Sequence, residues 1–387
     1  MSLAQTVYKK QVLQPVSFKR AVTGLPVIDA PDIDDRGSVS PDFYPVVGIT
    51  QGDIVKVKIK REALENSSNA KLFLTSSDTA VMKIESPASG PIPAGDEVEI
   101  KIKGVSGGAT ATPKKAKLEV RYGAASGTIL NKLDCWVFQE AQIRLAPHLV
   151  TIRGTVPACD VDAVMALVRA IWRPCGVSFA VDATRNDSIT SFANAGVVMN
   201  PWVDPNAFSG SELDRLLSTN RANNKVNIYF VNQIGTSGGT LGYGFSRAAH
   251  ANYGITNPGI VLAATTPGGG TTRDDYYWAN DLAHEIGHFL RLWHPNQQEP
   301  PDEREDSWSR RMLMHNYNKM RDTTWPRVFA AGPPVRNYAN RTSFNDLGYG
   351  AQLRGGFITM KDLSQISTDG ECGTSRGAAT GPANQLY

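Results

Sequence analysis

The chain has 387 residues, 41% of them hydrophobic and 20% charged, which suits a soluble globular protein with room for two or three domains. Its formal net charge of +3 is too small to point to nucleic acid or an anionic membrane as partner. No run approaches the roughly 18 uninterrupted apolar residues of a transmembrane helix, so no membrane span is expected.

The first twenty residues, MSLAQTVYKKQVLQPVSFKR, carry lysines but no apolar h-region, and do not read as a signal peptide. Three routes stay open: secretion or delivery without a cleaved leader, a leader already removed, or retention in the cytoplasm. Four cysteines, Cys135, Cys159, Cys175 and Cys372, are too few for a disulfide scaffold. Cys159 and Cys175 flank an expected helix and would stand roughly 20 Å apart at about 1.5 Å per residue, too far to bridge. Cys135–Cys372 stays open, with free thiols the simplest state.

In chain order, residues 1–40 read as an extended segment with Pro15, Pro26 and Pro31 and no sustained periodicity. Asp32, Asp34, Asp35 and Gly37 carry a faint calcium-loop pattern, but the twelfth position is Phe43 instead of glutamate, so a solvated turn is expected. Residues 41–145 read as an immunoglobulin-like β-sandwich. Val55, Val57 and Ile59 alternate with Lys56, Lys58 and Lys60, and Val98, Ile100 and Ile102 alternate with Glu99, Lys101 and Lys103. Leu118, Val120 and Tyr122 repeat the pattern. Period two with one polar face predicts half-buried antiparallel strands. Further strands are expected over 44–49, 71–75, 79–86 and 127–138, about seven in all, split by glycine-rich turns. The lysine rows read most simply as a solvated face. No catalytic pattern is visible here.

Composition changes near residue 145: 14 of the 17 lysines lie before it and all six histidines after it, which separates a second domain over 146–387. That part reads as mixed α/β. Expected in order are a strand over 148–156, a helix from an Asp160 cap to Arg173, a strand over 177–181, a helix over 211–218, and strands over 226–231, 241–245 and 259–263. Thr272 and Asp275 form a capping-box pattern ahead of a last helix. Thr359 is placed to cap a late helix running to Ile366.

That last helix holds the chemistry. Residues Asp281–Pro295 read D-L-A-H-E-I-G-H-F-L-R-L-W-H-P, placing His284, Glu285, His288 and His294 in the pattern H-E-x-x-H-x-x-x-x-x-H. Residues four apart share a helix face, so His284 and His288 can meet one ion, and zinc takes nitrogen ligands at about 2.0–2.1 Å. Glu285 stands beside that face as a proton carrier, the arrangement of zinc hydrolases.

The succession N-I-Y-F-V, L-G-Y-G, G-I-V-L and then H-E-I-G-H-F-L-R-L-W-H resembles the metzincin zinc peptidases, most closely their pappalysin-type branch, over about 146–387. The resemblance implies an α/β metzincin-like catalytic domain, Zn2+ held by His284, His288 and His294, and Glu285 as general base and acid for a zinc-bound water that attacks a peptide bond. A zinc ion lowers the pKa of bound water from about 16 to about 7. R-M-L-M-H-N-Y offers Met314 for the family's methionine turn and Tyr317 as an oxyanion partner; core packing is the bland alternative for both. Where the family carries glycine, this chain has Arg291. A carboxylate from Glu299, Asp302, Glu303, Glu305 or Asp306 is therefore a rival third ligand. The strand over 241–245 would pair with substrate backbone or serve as a plain sheet strand. Arg-Pro-Cys-Gly-Val at 173–177 has the look of a zinc-blocking propeptide cysteine but sits at a helix end, where Gly176 is an ordinary stop. His148 and His250 have no partner pattern and read as ordinary polar residues.

The expected function is thus a zinc endopeptidase acting on protein or peptide substrates, with the sandwich as a targeting or presentation module of unknown partner, in the manner of a secreted toxin or effector. Two alternatives remain: a binding module on a silent peptidase fold, and a zinc amidase acting on cell-wall peptides.

Overall fold

The structure is a computed structural model that describes residues 16–22, 27–31, 33, 45–61, 71–108, 113–199, 210–235, 242–245, 255–264, 275–289, 352–353 and 358–359. Most of it is β-sheet. Two four-stranded sheets come first. One has the order β1-β3-β6-β5, built from β1 (Val16–Arg20), β3 (Ile54–Arg61), β6 (Glu97–Gly104) and β5 (Met82–Ser86). The other has the order β2-β8-β7-β4, built from β2 (Val46–Thr50), β8 (Ile129–Phe138), β7 (Lys114–Tyr122) and β4 (Leu72–Ser76). All pairs are antiparallel except β2 with β8.

The alternation seen in the sequence decides which face is inside. Val55, Val57 and Ile59 of β3 and Val98, Ile100 and Ile102 of β6 meet Ile49, Leu118, Val120, Leu133 and Val137 of the other sheet in one core. Each fully buried side chain of this kind contributes about 1.5–3 kcal/mol by leaving water. Two sheets packed on one core form a β-sandwich. Val16–Arg20, within the segment read as an extended leader, is an edge strand of it: Val16 and Phe18 are buried while Lys19 faces out.

Only Gln139 and Glu140 separate β8 from β9 (Ala141–Ile152), which begins ahead of the composition change. β9 is the spine of a six-stranded sheet in the order β10-β9-β13-β16-β15. Its first half pairs with β10 (Val177–Val181) and its second half with β11 (Arg185–Ile189). On its other side lies β13 (Val226–Val231), followed by β16 (Gly259–Ala263) and the edge strand β15 (Gly242–Phe245). Only β15 runs antiparallel; β12 (Val197–Val198) and β14 (Gln233–Ile234) form a separate parallel pair. β13 and β16 are buried along their whole length, as strands covered on both faces must be.

Helix α1 (Val161–Trp172) and helix α3 (Asp275–Phe289) cover one face of this sheet, where Ile228, Phe230, Ile260 and Leu262 point. The short helix α2 (Glu212–Leu217) covers the other, against Tyr229, Val231, Val261 and Ala263. Asp160 caps α1 as expected, accepting from Ala163 N–H at 3.1 Å, and Ser211 caps α2 through Asp214 N–H. Gly176 follows α1 with φ of 76°, and a Cβ there would stand 2.6 Å from Phe138 Cβ, so the position admits only glycine comfortably. Beside it Cys175 is fully buried, as is Cys135 in β8. Burial pushes the Cys175 and Cys135 thiols up, which makes both inert.

Sandwich and mixed sheet are joined by more than the chain. Val46, Trp136 and Phe138 of the sandwich are buried in the same core as α1 and α3. Arg173, directly after α1, forks onto Asp53 with Nε–Oδ2 at 2.7 Å and Nη2–Oδ1 at 2.8 Å, and its Nη1 reaches Glu140 at 3.1 Å. The Thr50 hydroxyl donates to the Arg173 carbonyl. First the Asp53 carboxylate and then Glu140 hold the guanidinium above its ordinary range.

Several expectations lie outside the described residues: the Thr272 cap, Leu241, His250, Arg291 and most of the segment 32–43. Thr359 ends the two-residue strand β18 (Ile358–Thr359), paired with β17 (Gln352–Leu353), and the helix expected beyond it also lies outside.

Candidate active site on helix α3

Helix α3 is nearly sheathed by protein. Trp278, Ala279, Leu282, Ala283, Ile286 and Phe289 form its core stripe, with Trp278 edge-on to Phe230 at 5.4 Å between centroids. At about 100° per residue, positions 280, 284 and 288 form a second stripe on the side away from Leu282 and Ile286. His284 on that stripe is half-buried. Asn280, one turn earlier, is 1% exposed, and neither atom of its amide has a hydrogen-bond partner.

Glu285 is 7% exposed and leans over the edge strand β15. A Cβ on Gly242 would lie 2.9 Å from Glu285 Cγ, 3.0 Å from its Oε1 and 2.9 Å from Leu262 Cδ2. The missing side chain at Gly242 is therefore what lets a carboxylate rest against β15 beside a half-buried histidine. This is the close-approach use of glycine in a strand. β15 bonds β16 on one side and ends the sheet on the other.

The structure thus brings Glu285 and His284 together on one helix and puts position 288 one turn further on. His294, Met314, Tyr317, Glu299, Asp302, Glu303, Glu305 and Asp306 lie outside the described residues. Among the described residues, no group of three His, Cys, Asp or Glu side chains is gathered to hold a metal. The donors that are described fit a zinc ion in part: an imidazole at 284 with a buried carboxylate alongside, position 288 standing in i,i+4 register on the same helix.

A second polar cluster was not legible as such. His148, read as an ordinary polar residue, is completely buried in β9. Its Nδ1 lies 2.7 Å from Asp187 Oδ2 of β11, and its Nε2 lies 3.1 Å from Asn227 Oδ1 of β13. The Asn227 orientation is fixed, because Oδ1 accepts from Ala222 N–H while Nδ2 donates to the carbonyls of Ala222 and Lys225. Both ring nitrogens therefore face oxygen acceptors. Asn220 Nδ2 donates to Asp187 Oδ1, and the His148 ring stacks on Tyr229 at 4.5 Å. With no exposed edge this imidazole cannot reach a substrate; it pins three parallel strands. The only sequence signal was a polar residue inside each of two apolar runs, L-A-P-H-L-V and V-N-I-Y-F-V.

Comparison with known proteins adds one sequence relative. The chain is 33% identical over 152 residues to a protein of Arthroderma otae named extracellular metalloprotease; the match covers 38% of this chain and 50% of that protein, so the chain spans about half the relative's length. No family profile matches. Among solved structures, a Caenorhabditis elegans MSP family member overlaps 24% of the chain at 16% identity and a TM-score of 0.17. Zebrafish RET cadherin-like domains overlap 39% at 10% identity and a TM-score of 0.16. Neither superposition is large enough to bear on the fold. No helix among the described residues is long and apolar enough to cross a membrane.

Proposed function

We propose that the chain is a zinc-dependent endopeptidase, metzincin-like in its second half and closest to the pappalysin-type branch. The observation that carries this reading is Glu285, a buried carboxylate lodged on Gly242 of the edge strand and adjacent in sequence to His284. The similarity to an extracellular metalloprotease supports a peptidase that works with a metal.

His284, His288 and His294 would hold the zinc, which when bound supplies a Lewis acid beside the scissile carbonyl. Glu285 takes a proton from the attacking water on its carboxylate and returns it to the leaving amine. Its near-complete burial keeps competing water away. β15, the last strand of the sheet among the described residues, would pair with an extended substrate along its main chain and lay the peptide across Glu285. Met314 would floor the site and Tyr317 would meet the oxyanion. The sandwich presents or targets the enzyme, acting outside the producing cell.

The test is metal content together with peptide cleavage. Wild type should hold one zinc and cut a casein or peptide-library substrate. Glu285→Gln should keep the zinc and lose cleavage, while His284→Ala and His294→Ala should lose both. Wild type without zinc overturns the reading. Zinc without cleavage of any peptide, but with cleavage of peptidoglycan fragments, replaces it with a cell-wall amidase.

A further inference from the structure

The two outer faces of the sandwich treat their lysines differently. On the sheet β2-β8-β7-β4, Lys117 meets Asp134 at 3.2 Å, Lys132 meets Glu119 at 3.7 Å, and Lys115 lies over the Trp136 ring at 4.4 Å. On the sheet β1-β3-β6-β5, lysines are set directly opposite lysines: Lys56 against Lys101 and Lys83 against Lys103. Like charges in register across strands destabilise a sheet. At the far end of this face Lys58 meets Glu97 at 3.7 Å and Glu99 sits opposite Lys58. At the near end Asp29 pairs with Lys56, Glu85 lies beside Lys83 in sequence, and no carboxylate stands within ion-pair distance of Lys83, Lys101 or Lys103 among the described residues.

That same end carries exposed aliphatic groups. Ile54 stands opposite Lys103 and is 45% exposed. The turn at 27–30 continues the line of β1 along β3, with Lys56 N–H donating to the Asp29 carbonyl, and it shows Ile28 at 46% and Val27 at 38% exposure. Three of the five exposed large hydrophobic residues thus gather where the lysines lack partners.

We propose that this end of the sheet, Lys83, Lys101 and Lys103 with Ile28 and Ile54, docks on the surface of an anionic lipid bilayer. A soluble polyanion would use the lysines but has no use for the aliphatic tips. A bilayer uses both, since lysines lie at the headgroups while short apolar groups enter the acyl boundary. The small net charge of the whole chain hides this patch, because aspartate and glutamate elsewhere offset it. The inference stands apart from the catalytic reading and needs neither zinc nor Glu285.

Flotation of the full chain with phosphatidylcholine vesicles, with and without phosphatidylserine, tests it. Wild type should float with the serine-containing vesicles and stay behind with phosphatidylcholine alone. Each lysine contributes about a five-fold factor near such a surface, so the triple variant Lys83→Gln, Lys101→Gln, Lys103→Gln should lower partitioning by about 100-fold. Ile28→Ser with Ile54→Ser should lower it several-fold with the salt dependence unchanged. Thermal melts should match wild type, since none of the five side chains is buried. Equal flotation with both vesicle types, or flotation unaffected by the lysine variant, overturns the proposal. Retention on a soluble polyanion that the serine variant leaves unchanged, without flotation, overturns it in favour of a polymer-binding face.

Discussion

Glu285 rests on the backbone of Gly242 so closely that a single added methyl group there would come within 3.0 Å of its carboxylate oxygen. On the proposed peptidase reading, Gly242→Ala should therefore leave the fold in place but swing the Glu285 carboxylate away from its working position. A displacement on the order of 1 Å in a catalytic group can cost about 10²-fold in rate. Cleavage should fall by about 10- to 100-fold in kcat with zinc content unchanged, as measured by steady-state kinetics and metal analysis on the same preparation.

Arg173 ties the sandwich to the mixed sheet through Asp53 and Glu140. Arg173→Leu should lower stability by about 1–2 kcal/mol, a value discounted for the partial exposure of the pairs. Urea titration of both proteins gives the difference.

The joint is also sensitive to acid. The Ser178 hydroxyl, and then the Arg173 guanidinium, hold Glu140 below the usual carboxylate range. A group depressed in this way contributes stability above its unfolded value and loses it as pH falls through the folded one. Wild type should therefore weaken as pH drops below the ordinary glutamate range, about 4.3, and Glu140→Gln should lack that share of the decline. Thermal melts of the two proteins between neutral and acid pH test the difference.

His148 and Asp187 form a buried pair whose other polar atoms are also engaged. Removing one partner leaves the other without its bond inside the core, which costs about 3–5 kcal/mol. His148→Ala and Asp187→Ala should each reach that range in chemical denaturation, and the double variant should cost clearly less than their sum.

Thiol chemistry separates the cysteines. Burial raises the Cys135 and Cys175 thiols, so both should resist alkylation in the folded protein, while half-buried Cys159 should react first. Mass spectrometry of native and urea-unfolded samples distinguishes them. An inert Cys175 also removes it as a zinc-blocking group.

The sandwich was legible because its strands alternate strictly: Val55 to Lys60 and Val98 to Lys103 state which face is wet. Strands covered on both sides have no such period, yet V-N-I-Y-F-V was found from its run of apolar and β-branched residues. What escaped were contacts made by short or distant segments. Arg185–Ile189 carries too little apolar character to announce a strand, and its place is set by lying in line with β10 along β9. The partners of His148 lie 39 and 79 residues away, beyond any local pattern. In the candidate site, His284 and Glu285 were legible from spacing alone. That Gly242 makes the room for Glu285 was not, because sequence does not show which residue a missing side chain accommodates.

The two-residue link between β8 and β9 has a mechanical meaning. With Trp136 and Phe138 sunk in the same core as helix α3, and Arg173 forked across the seam, the sandwich has no hinge to swing on. If the proposed peptidase reading holds, anything captured on the outer face of the sandwich would be held at one standoff and one bearing from Glu285, and reach would join sequence as a selector of substrate.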